Sequence, residues 1–464
     1  MDVFQLQQHV LESYRKYAKS FYRFKDPRVH DFVELELNKG RLWPEPLIQL
    51  NPSFENGGTI TDLVTEGQLE PQCERIFRRG KENGAEGQVL TLYKHQVEAI
   101  GKAGQDKNYV LTTGTGSGKS LAYIVPIVNH VLRTGSGHGI KGIVIYPMNA
   151  LANSQVGELE KYLGKEHPPV TFRRFTGQES REEKEEIRKN PPDILLTNFV
   201  MLELILSRHD DRMLVERMRK SLRFVVLDEL HTYRGRQGAD VAMLLRRLQA
   251  ILSGQSLQFV GTSATMGGGS TWREKQQRVS VVATKLFGSP VESESVIGES
   301  LVRTTAEYDG SDPAAIDRLR QRIQNPDLRP TDYSSFIRDP LASWIESHLG
   351  IRREAESGRW IRQTPKGIRT RVNGRESGGD LGLADMLSSN TGVDADVCEN
   401  AIKQTLLDGY RIQSPDTNRP VFAFRLHQFL SKGETVYTSL EDTASRPLTM
   451  QRQQFASPEK DLLF

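Results

Sequence analysis

Between about residues 87 and 300 the chain alternates short, almost wholly apolar runs with longer stretches of helical periodicity. The runs are Val110-Leu111, Ile143-Val144-Ile145-Tyr146, Ile194-Leu195-Leu196, Phe224-Val225-Val226-Leu227 and Phe259-Val260. A strand that is apolar at every position buries both of its faces, and helices between such strands supply the cover. The pattern predicts an α/β fold, a mainly parallel sheet covered by helices on both faces. In such sheets ligands bind beyond the carboxyl ends of the strands. The polar residues that follow each run are therefore the candidates for chemistry.

The flanking segments lack this rhythm. Residues 1–86 open with a helical pattern (Phe4, Val10, Leu11, Tyr14, Tyr17) and continue through a turn-rich stretch with Pro44, Pro46, Pro52, Gly57 and Gly58. They read as a helical N-terminal region packed on the next domain. Residues 87–300 form the sheet domain, and 301–464 an accessory α+β region. Within the last, residues 351–375 are strongly basic and contain Trp360. Helical stretches follow around Leu381–Leu387 and Ala395–Leu407. Gly409–Ile412 and Val421–Arg425 then read as a hairpin closed by a Pro415–Pro420 turn, so that helix, helix and hairpin outline a winged helix.

Composition changes this picture little. The chain has 464 residues, 26% of them charged, with a formal net charge of +3. That balance neither demands nor excludes a nucleic-acid partner. Cys73 and Cys398 lie far apart, giving neither metal-ligand spacing nor a disulfide framework, which fits a reducing compartment. The N-terminus has charged residues where a signal peptide needs an apolar core, and no apolar run has bilayer-spanning length. The expectation is a soluble, cytoplasmic chain with no membrane partner.

The most informative stretch is Thr113-Gly114-Thr115-Gly116-Ser117-Gly118-Lys119-Ser120, between the run at Tyr109–Leu111 and a helical face of Leu121, Ile124, Val125, Val128 and Leu132. Strand, glycine-rich loop and helix form the context of a phosphate loop. Glycines let successive N–H groups converge on an anion, and the helix N-terminus adds partial positive charge. Lys119 would reach the β/γ-phosphates of ATP, and the Ser120 hydroxyl would hold Mg2+. Thr113 departs from the strict pattern, which has glycine there.

Asp228-Glu229-Leu230-His231 directly follows an apolar strand. Adjacent acids at a strand end are costly unless they face a cation or water. Asp228 would hold magnesium, and Glu229 would orient and deprotonate the attacking water. Alone, such a pair is as readily surface decoration; the phosphate loop about 110 residues upstream argues otherwise. Tyr93-Lys94-His95-Gln96 opens an amphipathic stretch, and the Gln96 carboxamide can both donate to and accept from an adenine edge. Taken alone, Gln96 is an ordinary surface helix residue. Thr262-Ser263-Ala264-Thr265 closes the last strand, with hydroxyls able to bond the acid pair and relay nucleotide state.

Together Gln96, Thr113–Ser120, Asp228–His231 and Ser263-Ala264-Thr265 resemble, in order and spacing, the first motor domain of a superfamily 2 DEAD/DEAH-box helicase. That likeness implies a RecA-like fold, tolerates Thr113, and makes Pro126 familiar in the helix after the loop. Pro147-Met148-Asn149-Ala150-Leu151-Ala152-Asn153-Ser154-Gln155 is similar to the family's motif Ia. Phe175-Thr176-Gly177 and Leu196-Thr197-Asn198 resemble segments that touch the nucleic-acid backbone. The likeness implies contacts from Pro147, Asn149, Asn153, Thr176, Gly177, Thr197 and Asn198, and coupling through Ser263, Ala264 and Thr265. A narrower likeness, through Asp228–Gly235, Gly238–Ala242 and Leu244–Leu248, is to mitomycin-repair-type helicases and to large helicases of bacterial phage-defence islands. The former carry a C-terminal cysteine cluster that is not found here.

Such a motor works between two RecA-like domains, the second supplying arginines to the γ-phosphate. No Gln-x-x-Gly-Arg-x-x-Arg segment follows residue 300. Gln363, Gly367, Arg369 and Arg371 come nearest, with the wrong spacing. The expectation is an N-terminal portion or one subunit of an ATP-dependent helicase or translocase, slow on its own. DNA is favoured over RNA as its track, and a second RecA-like domain and other repair or defence proteins are its expected partners. A nucleotide-gated binding subunit without unwinding is the rival reading. Backbone contacts predict sequence-independent, salt-sensitive binding, and the basic run around Trp360 would add charge and one stacking surface unless it is a solvated loop with a buried Trp.

Overall fold

Seven strands form one parallel sheet: β1 (Tyr109–Thr112), β2 (Gly142–Tyr146), β3 (Phe172–Arg174), β4 (Ile194–Asn198), β5 (Phe224–Leu227), β6 (Gln258–Ser263) and β7 (Val296–Gly298). Their spatial order is β7-β1-β6-β5-β2-β4-β3. Every described pairing in it is parallel; in the centre, Leu227 of β5 stands opposite Ile145 of β2 and Gly261 of β6. β3 and β7 have only three residues each, too short for the hydrophobic pattern to announce them.

The computed structural model describes residues 2–21, 24–38, 43–80, 86–114, 116–164, 168–264, 271–355, 357–370, 381–415, 417–430, 435–442, 446–450, 455–457 and 460–462. Two units partition the chain: residues 54–301 with 354–359, and residues 1–53, 302–353 and 360–464.

The first unit holds the sheet between two apolar cores. Leu111, Val144, Leu196, Val226 and Val260 face one; Val110, Ile143, Ile145, Leu195, Val225, Leu227 and Phe259 face the other. Alternation of period two is thus present inside runs that look uniformly apolar, because both faces are covered. Helices Lys94–Gly104 and Leu121–Thr134 pack on the first core, and Gly235–Ile251 and Trp272–Phe287 on the second.

Pro126 lies inside helix Leu121–Thr134. Proline has no N–H, so the carbonyl four residues earlier loses its helical donor. That carbonyl, of Ala122, instead accepts from the buried Tyr109 hydroxyl at 2.8 Å. At the amino ends of the strands, Asp193 accepts from Ser136 Oγ, the Gly137 and Thr171 N–H groups, Thr171 Oγ1 and Lys141 Nζ.

The second unit contains a three-stranded antiparallel sheet in which Leu47–Asn51 lies between Lys366–Gly367 and Ala423–His427. Helices Pro313–Gln324, Leu383–Thr391 and Ala395–Arg411 contribute Leu319, Ile323, Leu387, Ile402 and Leu406 to its core, with the fully buried Trp344. The expected hairpin is reduced to its turn, where Gln413 bridges Pro420 antiparallel and the Val421 N–H donates to the Ile412 carbonyl. Gly409, Tyr410 and Arg411 end a helix, and the strand after Val421 pairs with Leu47–Asn51. Gly409 is required by close packing: a Cβ there would lie 2.6 Å from the Phe336 ring and 2.7 Å from Phe422. No helix among the described residues is long and apolar enough to cross a membrane.

Candidate functional site

The loop after β1 has the backbone of an anion cradle. Gly116 and Gly118 adopt φ of 86° and 70°, a region that only glycine enters without cost. At Gly118 a Cβ would also stand 2.5 Å from Gln96 Nε2. Thr113 is buried, its hydroxyl 2.7 Å from Ser117 Oγ, and its N–H donates to the Ser263 carbonyl at 3.2 Å. A threonine at the first position thus ties the loop internally and to β6. Ser120 leads into helix Leu121–Thr134, with its carbonyl accepting from the Ile124 N–H. Thr115 lies outside the described residues.

The acid pair sits at the carboxyl end of β5, between β2 and β6. Glu229 takes the left-handed conformation, φ 54° and ψ 55°, before a short turn at Leu230–Thr232. That turn points Leu230 inward, against the place where a side chain on Gly261 would be. The Thr262 hydroxyl donates to Asp228 Oδ1, and its oxygen accepts from the Glu229 N–H at 3.1 Å. Burial lifts the Asp228 carboxyl above the ordinary aspartate range; the Thr262 hydrogen bond opposes this and the Glu229 charge adds to it.

Glu229 Oε1 stands 3.4 Å from Lys119 Nζ, and Oε2 lies 3.2 Å from His231 Nδ1. Oε2 is buried, and the His231 ring approaches it without hydrogen-bond geometry, so it makes no hydrogen bond among the described residues. His231 Nδ1 is also 3.2 Å from Ser263 Oγ. Lys119, Asp228, Glu229, His231 and Ser263 therefore form one cluster at the ends of β1, β5 and β6. Ala264 continues the chain from β6, and Thr265 lies outside the described residues.

Gln96 is turned into the loop. Its Nε2 donates to the Gly118 carbonyl at 2.8 Å, and its Oε1 accepts from the Tyr93 N–H at 2.8 Å. His95 joins it, Nε2 lying 2.9 Å from the Ser117 carbonyl. Burial lowers the His95 pKa, with the Ser117 bond and the Glu299 charge opposing it. Tyr93, Phe54 and His95 pack as a three-ring cluster, with the Phe54 and His95 centroids 5.0 and 5.6 Å from that of Tyr93 and 5.4 Å from each other.

Farther along the same edge, Asn198 Nδ2 donates to Asn149 Oδ1 at 2.7 Å, while Asn198 Oδ1 caps helix Phe199–Ser207. Pro147 is half-buried and the following Met148 is exposed. Thr176 and Thr197 are fully buried and satisfied internally: the Thr176 N–H and hydroxyl bond Glu179, and the Thr197 hydroxyl bonds the Phe175 carbonyl. Asn153 and Gly177 are exposed. Arg174 joins Glu179 to Asn153.

Arg174, Glu179 and Glu299 are the residues that sequence reasoning missed. Arg174 and Glu299 stand at the end of or just after the two short strands, β3 and β7. The signal was their position after Phe172 and after Val296-Ile297, had those been read as strands.

In the other unit, Trp360 lies on strand Trp360–Arg362 with the Arg353 guanidinium 4.7 Å and that of Arg303 5.9 Å from its ring centroid. Arginine, rather than open solvent, lies over the ring. Arg369 pairs with Glu399, Asp385 and Asp396, so its charge is neutralised locally; Arg371 lies outside the described residues.

Residues 93–271 match the model of the DEAD/DEAH box helicase family. An uncharacterized ATP-dependent helicase, YprA of Bacillus subtilis (strain 168), is 30% identical over 203 residues, which are 43% of this chain and 26% of that protein. The Druantia protein DruE of Escherichia coli (strain UMEA 4076-1) is 24% identical over 372 residues, 55% of this chain and 20% of that one. A solved structure titled as the DUF1998 helicase MrfA bound to DNA aligns with TM-score 0.43 and 21% identity, covering 62% of this chain and 36% of that chain. The chain spans about a quarter or less of the length of these two curated relatives. The matched segment contains the loop, the acid pair and Ser263, and this chain carries a DEAD/DEAH box helicase domain at residues 93–271.

Proposed function

We propose that the domain binds and hydrolyses ATP as the first motor domain of a DNA helicase or translocase. One observation carries the reading: Lys119, Asp228, Glu229, His231 and Ser263 meet at the carboxyl ends of three adjacent parallel strands, beside a loop whose glycines open its amides. The site fits an ATP–magnesium complex. A Cβ at Gly118 would collide with the Gln96 amide that lines the loop, and Glu229 Oε2 is buried with no hydrogen bond of its own among the described residues.

In this reading Lys119 binds phosphate oxygens, and the Ser120 hydroxyl and Asp228 hold magnesium. The bound ion would draw charge from the phosphate oxygens. Raising of the Asp228 pKa by burial marks a carboxylate that gains from a cation partner. Glu229 accepts the proton of the attacking water through Oε2, the oxygen nearest the His231 ring. His231 and Ser263 hold that carboxylate in place and link it to β6. Gln96 would read the adenine edge only after its amide leaves the Gly118 carbonyl, which makes loop shape and base recognition mutually dependent.

The DNA backbone would cross the outer edge at Pro147, Asn149, Asn153, Gly177 and Asn198, with Thr176 and Thr197 shaping the loops from inside. A second RecA-like domain would complete the hydrolytic site. The test is mant-ATP binding and ATPase activity, with and without DNA, for the wild type, Lys119→Ala and Glu229→Gln. Equal binding and equal activity in all three would remove the motor assignment.

A further inference from the structure

Besides Glu229, a second carboxylate reaches the phosphate loop. The Gly114 N–H, at the entrance of the loop, donates to Glu299 Oε1. Glu299 directly follows β7, whose Ile297 and Gly298 stand opposite Leu111 and Thr112 of β1. The Thr112 hydroxyl adds a bond to the Ile297 carbonyl at 3.2 Å. The backbone of Glu299 is held from the other side as well. Its carbonyl accepts from Arg359 Nη2 at 3.0 Å, and the Arg359 guanidinium lies 5.0 Å from the Trp272 ring centroid. The Trp272 ring packs so closely on Gly298 that a Cβ there would be 2.4 Å away. Glu354 Oε1 receives the Trp272 N–H at 3.1 Å.

Amides of a glycine-rich loop are built to meet an anion, and here one of them meets a carboxylate of the chain itself. The loop lysine is likewise paired with a protein carboxylate, Glu229. Glu229 belongs to the hydrolytic cluster, whereas Glu299 follows β7, which flanks β1 on the side away from β6. A carboxylate on that amide competes with a phosphate oxygen for the hydrogen bond and repels a polyanion by charge.

We propose that Glu299 is a built-in counter-anion of the phosphate loop, which a nucleoside triphosphate must displace on entry. The inference rests on the nucleotide reading of the site. Arg359 and Trp272 set how firmly the carboxylate is presented, so the contacts of Arg359, Trp272 and Glu354 tune nucleotide affinity without touching the nucleotide.

The experiment is mant-ATP and mant-AMP titration of the full chain as wild type, Glu299→Gln, Glu299→Ala and Lys119→Ala, each confirmed folded by its thermal melt. Removing the charge should tighten mant-ATP binding about tenfold, the scale of one charge-assisted hydrogen bond. Mant-AMP affinity should stay unchanged, and Arg359→Ala should give part of the mant-ATP gain. Unchanged or weaker mant-ATP binding in both Glu299 variants overturns the inference, as does an equal gain for mant-AMP. Lys119→Ala separates the two levels. If it abolishes mant-ATP binding while the Glu299 variants change nothing, only the counter-anion is wrong. If it leaves binding intact, the nucleotide reading fails and the inference goes with it.

Discussion

Lys119 and Glu229, 110 residues apart in sequence, face each other across 3.4 Å at the carboxyl edge of the sheet. Each is mostly buried, and their roles separate when one is removed. Glu229→Gln should retain mant-ATP binding while lowering turnover about 10²–10⁴-fold, the range of a lost general base. Lys119→Ala should lose binding itself. Stopped-flow binding alongside steady-state hydrolysis distinguishes the two, and equal binding defects in both variants would contradict the assignment.

Thr262 serves both acids with one hydroxyl, donating to Asp228 and accepting from the Glu229 N–H. Thr262→Val keeps the shape of the side chain and removes both bonds. The expected cost is about 1–3 kcal/mol, that of leaving buried polar groups unpaired, together with slower hydrolysis. Chemical denaturation measures the first and a turnover assay the second. A variant as stable and active as the wild type would show that the hydroxyl is dispensable.

Gly118→Ala meets two obstacles, the positive φ and the Gln96 amide in the way of its Cβ. A loss of about 1–2 kcal/mol is expected from the left-handed backbone alone, and nucleotide affinity should fall further because Gln96 is displaced. Gly254→Ala is the control. Gly254 also has positive φ, with nothing within 4 Å of the added Cβ, so it should lose stability while keeping nucleotide affinity.

Acid should destabilise the chain in two windows. Burial lowers the His130 pKa from 6.5 to about 4, with the Arg223 and Lys141 charges adding to it. Between those values the unfolded chain binds the proton and the folded one does not, so stability falls as pH drops from 6.5 towards 4. Burial alone would raise the Asp193 pKa, but bonds from Ser136, Thr171 and Lys141 outweigh it and the net shift is down. Its contribution is present above the ordinary value of 3.8 and is lost as pH falls through the lower folded value. Melting temperature against pH should show a first decline that His130→Gln flattens. Asp193→Asn, which strands the buried Lys141, should cost about 3–5 kcal/mol at neutral pH.

Arg174 holds Glu179 and Asn153 together at the outer edge of the sheet. If DNA phosphates cross this edge, Arg174→Glu should weaken binding uniformly across sequences and reduce the salt slope by about one. Fluorescence anisotropy with single-stranded DNA at several salt concentrations measures this. An unchanged slope would place the strand elsewhere.

The apolar runs by themselves determined the parallel sheet and five of its seven strands. A strand covered on both faces leaves a continuous apolar signature that needs no knowledge of its neighbours. The loop, the acid pair and Ser263 were legible for a related reason: phosphate and metal chemistry admits few residue types, and they must stand directly after strands. β3 and β7 escaped notice because three residues flanked by polar ones carry too little pattern. With them went Arg174 and Glu299, whose importance comes only from lying at or beyond those strand ends. The strand after Val421 was visible, but its partner was not, because pairing with Leu47–Asn51 is a contact across most of the sequence. Tertiary structure alone decided what each polar group bonds. It turned Gln96 into the loop, buried Thr176 and Thr197 against Glu179 and Phe175, and placed a carboxylate on the Gly114 amide, because hydrogen-bond partners are chosen by proximity in space.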